Sequence, residues 1–254
     1  MNHIPRKRFG QNFLSDQDII HSCVAAIRPQ ADDKMVEIGP GLGALTQPLM
    51  GALHHLHAVE LDRDIVSWMQ SHYPSSKITI HNVDALKFDF ASLGERIRVV
   101  GNLPYNISTP ILFHLLDSSA HIADMHFMLQ KEVVERMVAA PSTPEYGRLS
   151  VMLQYRLAME YLFTVPPEAF EPAPKVESAF VRAIPYAIPP YPAKDEKLFG
   201  RVVSAAFSQR RKTLRNTLKG VLDDAGFKTL GIDPQLRAEN LGVAEFVAIA
   251  NHLG

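Results

Sequence analysis

The sequence predicts an α/β protein: a mostly parallel sheet covered on both faces by helices, then a small all-helical domain. Three observations predict it. Short apolar runs alternate with segments of helical period from Met35 to Ile184. The first of those runs ends in a glycine-dense turn, Gly39-Pro40-Gly41-Leu42-Gly43, where a strand hands over to a helix. Prolines crowd the stretch from Pro185 to Pro192, which can continue neither strand nor helix. The expected domains are therefore residues 1–188 and 189–254, because Lys194 onward keeps helical period with little strand character.

Ser15, with Asp18 three residues on, is expected to cap a first helix carrying Ile19, Ile20, Cys23, Val24 and Ile27 and closed by Pro29. Met35–Ile38 reads as a strand, followed by a helix to about Leu53 and a strand over 57–61. A helix over 62–73, a strand at Ile78–His81 and a strand at Arg98–Asn102 follow. Pro110 suits the first turn of a helix bearing Ile111, Leu112, Leu115 and Leu116. Strands over 126–130, 161–165 and 179–184 complete the series.

Composition narrows the function. Hydrophobic residues at 46% and charged residues at 21% of 254 describe a folded domain with a substantial core, which argues against global disorder. One cysteine, Cys23, excludes an internal disulfide framework and a cysteine-based zinc site, and its apolar helix face makes it a buried, inert thiol. No apolar run is long enough to span a membrane, and the basic start has no apolar stretch behind it. A cytoplasmic setting is expected, with no membrane partner. The histidines, densest at His54-His55-Leu56-His57, lack a His-Glu-x-x-His spacing, and neighbours entering a strand point different ways; no metal is expected.

In an open α/β sheet, ligands sit at the carboxyl ends of the strands near the switch point. Gly39 and Gly41 follow the first strand, where the missing Cβ lets a ligand approach the backbone and the next helix presents its N–H groups. Glu60 ends the second strand, 21 residues after Gly39, and can accept from both hydroxyls of a ribose. Asp84, just past the third strand, is set to accept from an adenine amino group. Nicotinamide cofactors and S-adenosylmethionine both carry adenosine, so these positions do not separate them.

The fourth strand runs into Asn102-Leu103-Pro104-Tyr105, which resembles the (Asp/Asn/Ser)-x-Pro-(Tyr/Phe/Trp) motif of amino-group methyltransferases that use S-adenosylmethionine. An exocyclic adenine amino group is a poor nucleophile, since its lone pair is delocalised into the ring. The Asn102 carbonyl and a backbone carbonyl held stiff by Pro104 can accept its two N–H groups and turn the lone pair out of conjugation. Tyr105 can stack on the base, worth about 1–3 kcal/mol. Phe170, in a stiff proline-flanked loop, is the expected second aromatic, closing on the opposite face of an extruded base.

Four segments, Phe9-Gly10-Gln11-Asn12-Phe13-Leu14, Glu37-Ile38-Gly39-Pro40-Gly41, Asn102-Leu103-Pro104-Tyr105 and Phe170-Glu171-Pro172-Ala173-Pro174-Lys175-Val176-Glu177-Ser178, resemble the ribosomal RNA adenine N6,N6-dimethyltransferases in order and spacing. The resemblance runs from Arg6 to about Leu241. Two further segments, 145–151 and 207–216, look like those of the small-subunit enzymes rather than the macrolide-resistance enzymes acting on large-subunit RNA. It implies a Rossmann-like class I S-adenosylmethionine-dependent methyltransferase fold. It further implies dimethylation of two adjacent adenosines near the 3′ end of small-subunit ribosomal RNA, on an assembly intermediate. It also implies that Asn12 and Leu14 line the cofactor pocket with Gly39, Glu60, Asp84 and Asn102.

Net charge is −1, from 26 basic and 27 acidic residues, so RNA binding requires the positive charge to be gathered on one surface. Arg6, Lys7 and Arg8 form a basic arm, and Arg148 stands near the sixth strand. Arg210, Arg211, Lys212, Arg215 and Lys219 are the densest group. As one helix, the last four would share roughly a 100° arc, with Phe207, Leu214, Leu218 and Val221 facing inward. A target in DNA adenine or a protein glutamine amide is less favoured, because those enzymes usually carry Pro where Leu103 stands. A non-catalytic RNA- or DNA-binding assembly or transcription factor would have no need of the intact Gly39, Glu60, Asp84 and Asn102 set. A dehydrogenase would have no use for Asn102–Tyr105. A monomer is expected.

Overall fold

A computed structural model describes residues 12–254, so the expected arm at Arg6, Lys7 and Arg8 lies outside the described residues. The chain starts with β1 (Phe13–Leu14), α1 (Gln17–Ile27), β2 (Met35–Ile38), α2 (Thr46–Ala52), β3 (Leu56–Val59), α3 (Arg63–His72) and β4 (Ile78–His81). It continues through β5 (Ile97–Asn102), α4 (Ser108–Asp117), β6 (Ile122–Gln130), α5 (Lys131–Val138) and α6 (Arg148–Gln154). Then come β7 (Leu157–Val165), β8 (Phe170–Glu171) and β9 (Ser178–Pro185). The rest is helical: α7 (Glu196–Ala206), α8 (Leu214–Thr217), α9 (Asp224–Leu230) and α10 (Val243–Leu253). These elements form two compact units, one of residues up to Val134 with Glu160–Pro185, the other of Glu135–Met159 with Tyr186–Gly254.

The first unit holds a seven-stranded sheet in the order β4-β3-β2-β5-β6-β9-β7. The pairs β4–β3, β3–β2, β2–β5 and β5–β6 are parallel, and β6–β9 is antiparallel. All four residues of β2 are buried, as expected of a central strand covered on both faces. Ile20, Cys23 and Ile27 of α1 and Ile65 and Met69 of α3 pack into one apolar cluster with Met35, Leu56 and Ala58. Burial pushes the Cys23 thiol up to about 12, which makes it inert as a nucleophile. From β2 the chain winds outward through β3 and β4, then returns to β5 and winds the other way. The carboxyl ends of β2 and β5 therefore flank the switch point, the general position of ligands in such sheets.

Asp16, rather than Ser15, caps α1: its Oδ1 accepts from the N–H groups of Asp18 and Ile19 at 2.9 and 3.1 Å. Ser15 is drawn away because its N–H and hydroxyl both donate to the Ala169 carbonyl, beside the short β1–β8 ladder.

In the second unit, Val151 and Tyr155 pack with Phe199, Val202 and Val203 of α7 and with Leu214, Leu218, Phe246 and Ile249. The expected continuous basic helix does not form. α7 stops at Ala206, turns occupy 207–212, and α8 is four residues long. The physical reason is a competing partner. The N–H groups of Leu214 and Arg215 donate to the carbonyls of Leu236 and Pro234, and Thr213 bridges Arg237, so a new helix has to start there. Leu214 and Leu218 still face inward, but Val221 is 38% exposed, not inward-facing. Among the described residues no helix is long and apolar enough to cross a membrane.

Candidate active site at the switch point of the sheet

A cleft of about 1370 Å³ opens in the first unit at the carboxyl ends of β2, β3 and β5. Asn12, Leu14, Gly39, Gly41, Glu60, Asp84 and Asn102 to Tyr105 all line it, so the residues expected to bind cofactor and, except for Phe170, those expected to do chemistry meet in one place. Gly39 and Gly41 have φ of +67° and +55°, conformations that L side chains rarely adopt. The space is also tight at Gly41, though not at Gly39. A Cβ on Gly39 would stand 3.7 Å from the Asn102 carbonyl oxygen and 3.9 Å from Pro104 Cδ, and one on Gly41 would press on the Phe13 ring at 3.0 Å.

Two carboxylates sit on the β2–β3 side. Glu37 is 2% exposed within β2, and the Thr46 hydroxyl donates to its Oε2 at 2.6 Å, closing the base of the glycine turn. Burial pushes the Glu37 carboxyl up to about 7; the Thr46 bond opposes this and neighbouring Glu60 reinforces it. Glu60 accepts the Asp62 N–H at 2.8 Å. Burial raises its pKa, while backbone groups of Asp62, Leu61 and Gly41 draw it back down. Asp84 is half-buried, and its Oδ1 accepts the Leu86 N–H at 3.0 Å, capping a turn of 3-10 helix.

On the β5 side, the Asn102 amide donates to the Asn12 carbonyl at 3.1 Å. That orientation leaves its carbonyl oxygen as the acceptor. The side chain of Leu103 is buried and its N–H donates to the Met128 carbonyl, so what it offers the cleft is backbone. The Tyr105 hydroxyl bonds the Ser178 hydroxyl at 2.7 Å, and Ser108 Oγ donates to the Tyr105 carbonyl at 3.0 Å. Burial raises the Tyr105 pKa, opposed by the Ser178 bond, so the phenol is neutral and available for stacking.

The family model for the ribosomal RNA adenine dimethylases matches residues 2–254. The chain belongs to the ribosomal RNA adenine dimethylase family. Within it, the chain is 74% identical over 253 residues to ribosomal RNA small subunit methyltransferase A of Methylobacillus flagellatus, covering 100% of this chain and 99% of that one. The protein of the same name from Thiobacillus denitrificans is 63% identical, covering 99% and 98%. Solved structures share the fold at lower identity. A dimethyladenosine transferase from Plasmodium falciparum superposes with a TM-score of 0.76 at 22% identity over 93% of this chain and 95% of that one. The 23S rRNA methyltransferase ErmE gives 0.75 at 22% identity, over 95% and 99%. The class I methyltransferase fold expected from the motifs is the fold observed.

Two expectations for this family member meet a different arrangement. Phe170 is 3% exposed and packs in the core with Val165 and Phe180; Glu171 and Pro172, not Phe170, line the cleft. In this conformation the ring fills the core under the loop, and the expected clamp with Tyr105 is not assembled. The basic residues Arg148, Arg210, Arg211, Lys212, Arg215 and Lys219 belong to the second unit and are all exposed, on several turns rather than one helix. Arg148 opens α6, Arg210 donates to the Pro144 carbonyl at 3.1 Å, and Arg215 pairs with Asp224 at 2.9 Å.

Among the site residues that carried no assigned role in the sequence are Glu37, Phe13 and Ser178. For Glu37 a signal was present, a carboxylate inside an otherwise apolar strand, which demands a partner or a proton. Phe13 and Ser178 stand within segments that resemble the family, but nothing local gave them a role, since their partners lie 28 and 73 residues away in sequence.

Proposed function

We propose that this chain is an S-adenosylmethionine-dependent RNA methyltransferase that dimethylates the N6 amino groups of two adjacent adenosines near the 3′ end of small-subunit ribosomal RNA. It works as a monomer on an assembly intermediate of the small subunit. The observation that carries the reading is the place of Asn102-Leu103-Pro104-Tyr105 at the end of β5, across the cleft from the Gly39–Gly43 turn.

The residues fit the cofactor. Gly39 and Gly41 hold positive φ and carry no Cβ, so the turn presents bare backbone to the cleft, as close approach of a ligand requires. Glu60 and Asp84 are carboxylates at the ends of successive strands, suited to ribose hydroxyls and an adenine amino group. The cofactor supplies a methyl group already activated by its sulfonium centre. The protein then holds the acceptor. Asn102 Oδ1 and the Leu103 carbonyl accept the two N–H groups of the target adenine in the first transfer and the one that remains in the second, one N6 proton being released with each methyl gained. Pro104 keeps the Leu103 carbonyl stiff, and Tyr105 stacks on the base. The antiparallel β9 between β6 and β7 also sets the sheet apart from the strand order of dinucleotide-binding dehydrogenases.

Arg148, Arg210, Arg211, Lys212, Arg215 and Lys219 supply phosphate contacts that position the RNA without reading its sequence. The test is to incubate the protein and labelled cofactor with unmethylated small subunits, free DNA and free protein, then identify products by nucleoside and peptide mass spectrometry. Dimethyladenosine in RNA is expected. Methyladenosine in DNA alone, methylglutamine in protein alone, or tight RNA binding without transfer would overturn the reading.

A further inference from the structure

We propose that Ser178 is a positioning residue for Tyr105, fixing the phenol ring in the plane in which it stacks on the target adenine. The inference rests on the adenine-N6 reading given above. Ser178 is 0% exposed and opens β9, followed by the buried Ala179, Phe180 and Val181. A hydroxyl at an apolar strand position is costly to bury unless it is partnered. The partner it has is the Tyr105 hydroxyl at 2.7 Å.

The antiparallel insertion of β9 is what makes this pairing possible. Ser178 registers opposite Gln130, the last residue of β6, while Asn102 registers opposite Met128. A strand entering the sheet from the carboxyl edge thus delivers its first side chain to the edge where β5 delivers Asn102. Tyr105 is then held at both ends. Its carbonyl accepts from Ser108 Oγ, itself buried, and its hydroxyl is tied to Ser178. Between those two points the ring loses the rotational freedom that a turn between Pro104 and α4 would otherwise allow, so stacking needs no further ordering.

The experiment is a double-mutant cycle on the full chain with unmethylated small subunits as substrate, using Ser178→Ala, Tyr105→Phe and the pair. Tyr105→Phe keeps the stacking ring and removes only the hydroxyl. Each single substitution is expected to lower kcat about three- to tenfold, the range of one lost hydrogen bond. The pair is expected to be no worse than either single, with cofactor affinity by calorimetry unchanged throughout. A packing role for Ser178 would act in both backgrounds and make the losses multiply, which would overturn the proposal. So would wild-type turnover in Ser178→Ala or in Tyr105→Phe. A wild-type protein that transfers no methyl group to RNA fails the functional reading itself, and the proposal with it.

Discussion

Replacing Glu37 by Gln is expected to remove most of the alkaline loss of stability of the first unit. The side chain is 2% exposed and its carboxyl is raised from an ordinary 4.5 to about 7. Because the folded state holds the proton more tightly than the unfolded chain, this group's contribution is fully present below pH 4.5. It falls as pH rises and is lost once pH passes 7. The raised value corresponds to about 3 kcal/mol in total, of which about 2 kcal/mol is lost between pH 5.5 and 8.5. Gln keeps an acceptor for the Thr46 hydroxyl and carries no charge, so its curve lacks that slope. His57 and His126, both lowered to about 4 by burial, contribute in the opposite sense, adding stability as pH rises toward 6.5. They are present in both proteins and cancel in the difference. Urea unfolding at three pH values, followed by the fluorescence of the single tryptophan, Trp68 on α3, reads the first unit directly. Parallel stability–pH curves for the wild type and Glu37→Gln would refute the reasoning.

Asn102→Ala is expected to cut kcat by at least about a hundredfold while RNA binding is retained, since it removes an acceptor needed chiefly at the transition state; rapid-quench methyl transfer checks it. Gly41→Ala forces a residue with a Cβ to φ +55° against the Phe13 ring. A loss of about 1–3 kcal/mol in thermal unfolding, with weaker cofactor binding by calorimetry, is the expected outcome. Neutralising Arg211 and Arg215 together weakens RNA binding and flattens its salt dependence while cofactor affinity holds, measured by fluorescence anisotropy across salt concentrations. An equal loss of cofactor affinity would show damage to the fold instead. The Arg215–Asp224 pair is solvent-exposed, so its removal contributes little to that experiment's stability control.

Much of the site was written in local pattern. A strand, a turn at Gly39–Gly43 and a helix need only neighbours in sequence, and so do Glu60 and Asp84 at strand ends and Asn102–Tyr105 after the fourth strand. Because an open α/β sheet brings strand ends to one edge, their order along the chain already implies that they meet. Periodicity likewise placed α1 with Ile20, Cys23 and Ile27 on its buried face, since burying one stripe of a helix is a local property.

Contacts of long sequence separation were decided by the folded chain. Periodicity over 207–221 describes a single helix, and nothing local announces that the 234–236 loop takes the N–H groups of Leu214 and Arg215. Ser15 lost its capping role to Asp16 for the same reason, through the Ala169 carbonyl. The packing of Val151 and Tyr155 on α7, the burial of Phe170 and the Tyr105–Ser178 bond all belong to this class. Chemistry carried by residue type and spacing is legible in a one-dimensional string, because each backbone group's local options are few. Which distant partner satisfies a given donor, or covers a given ring, depends on a competition among all segments that only the folded chain resolves.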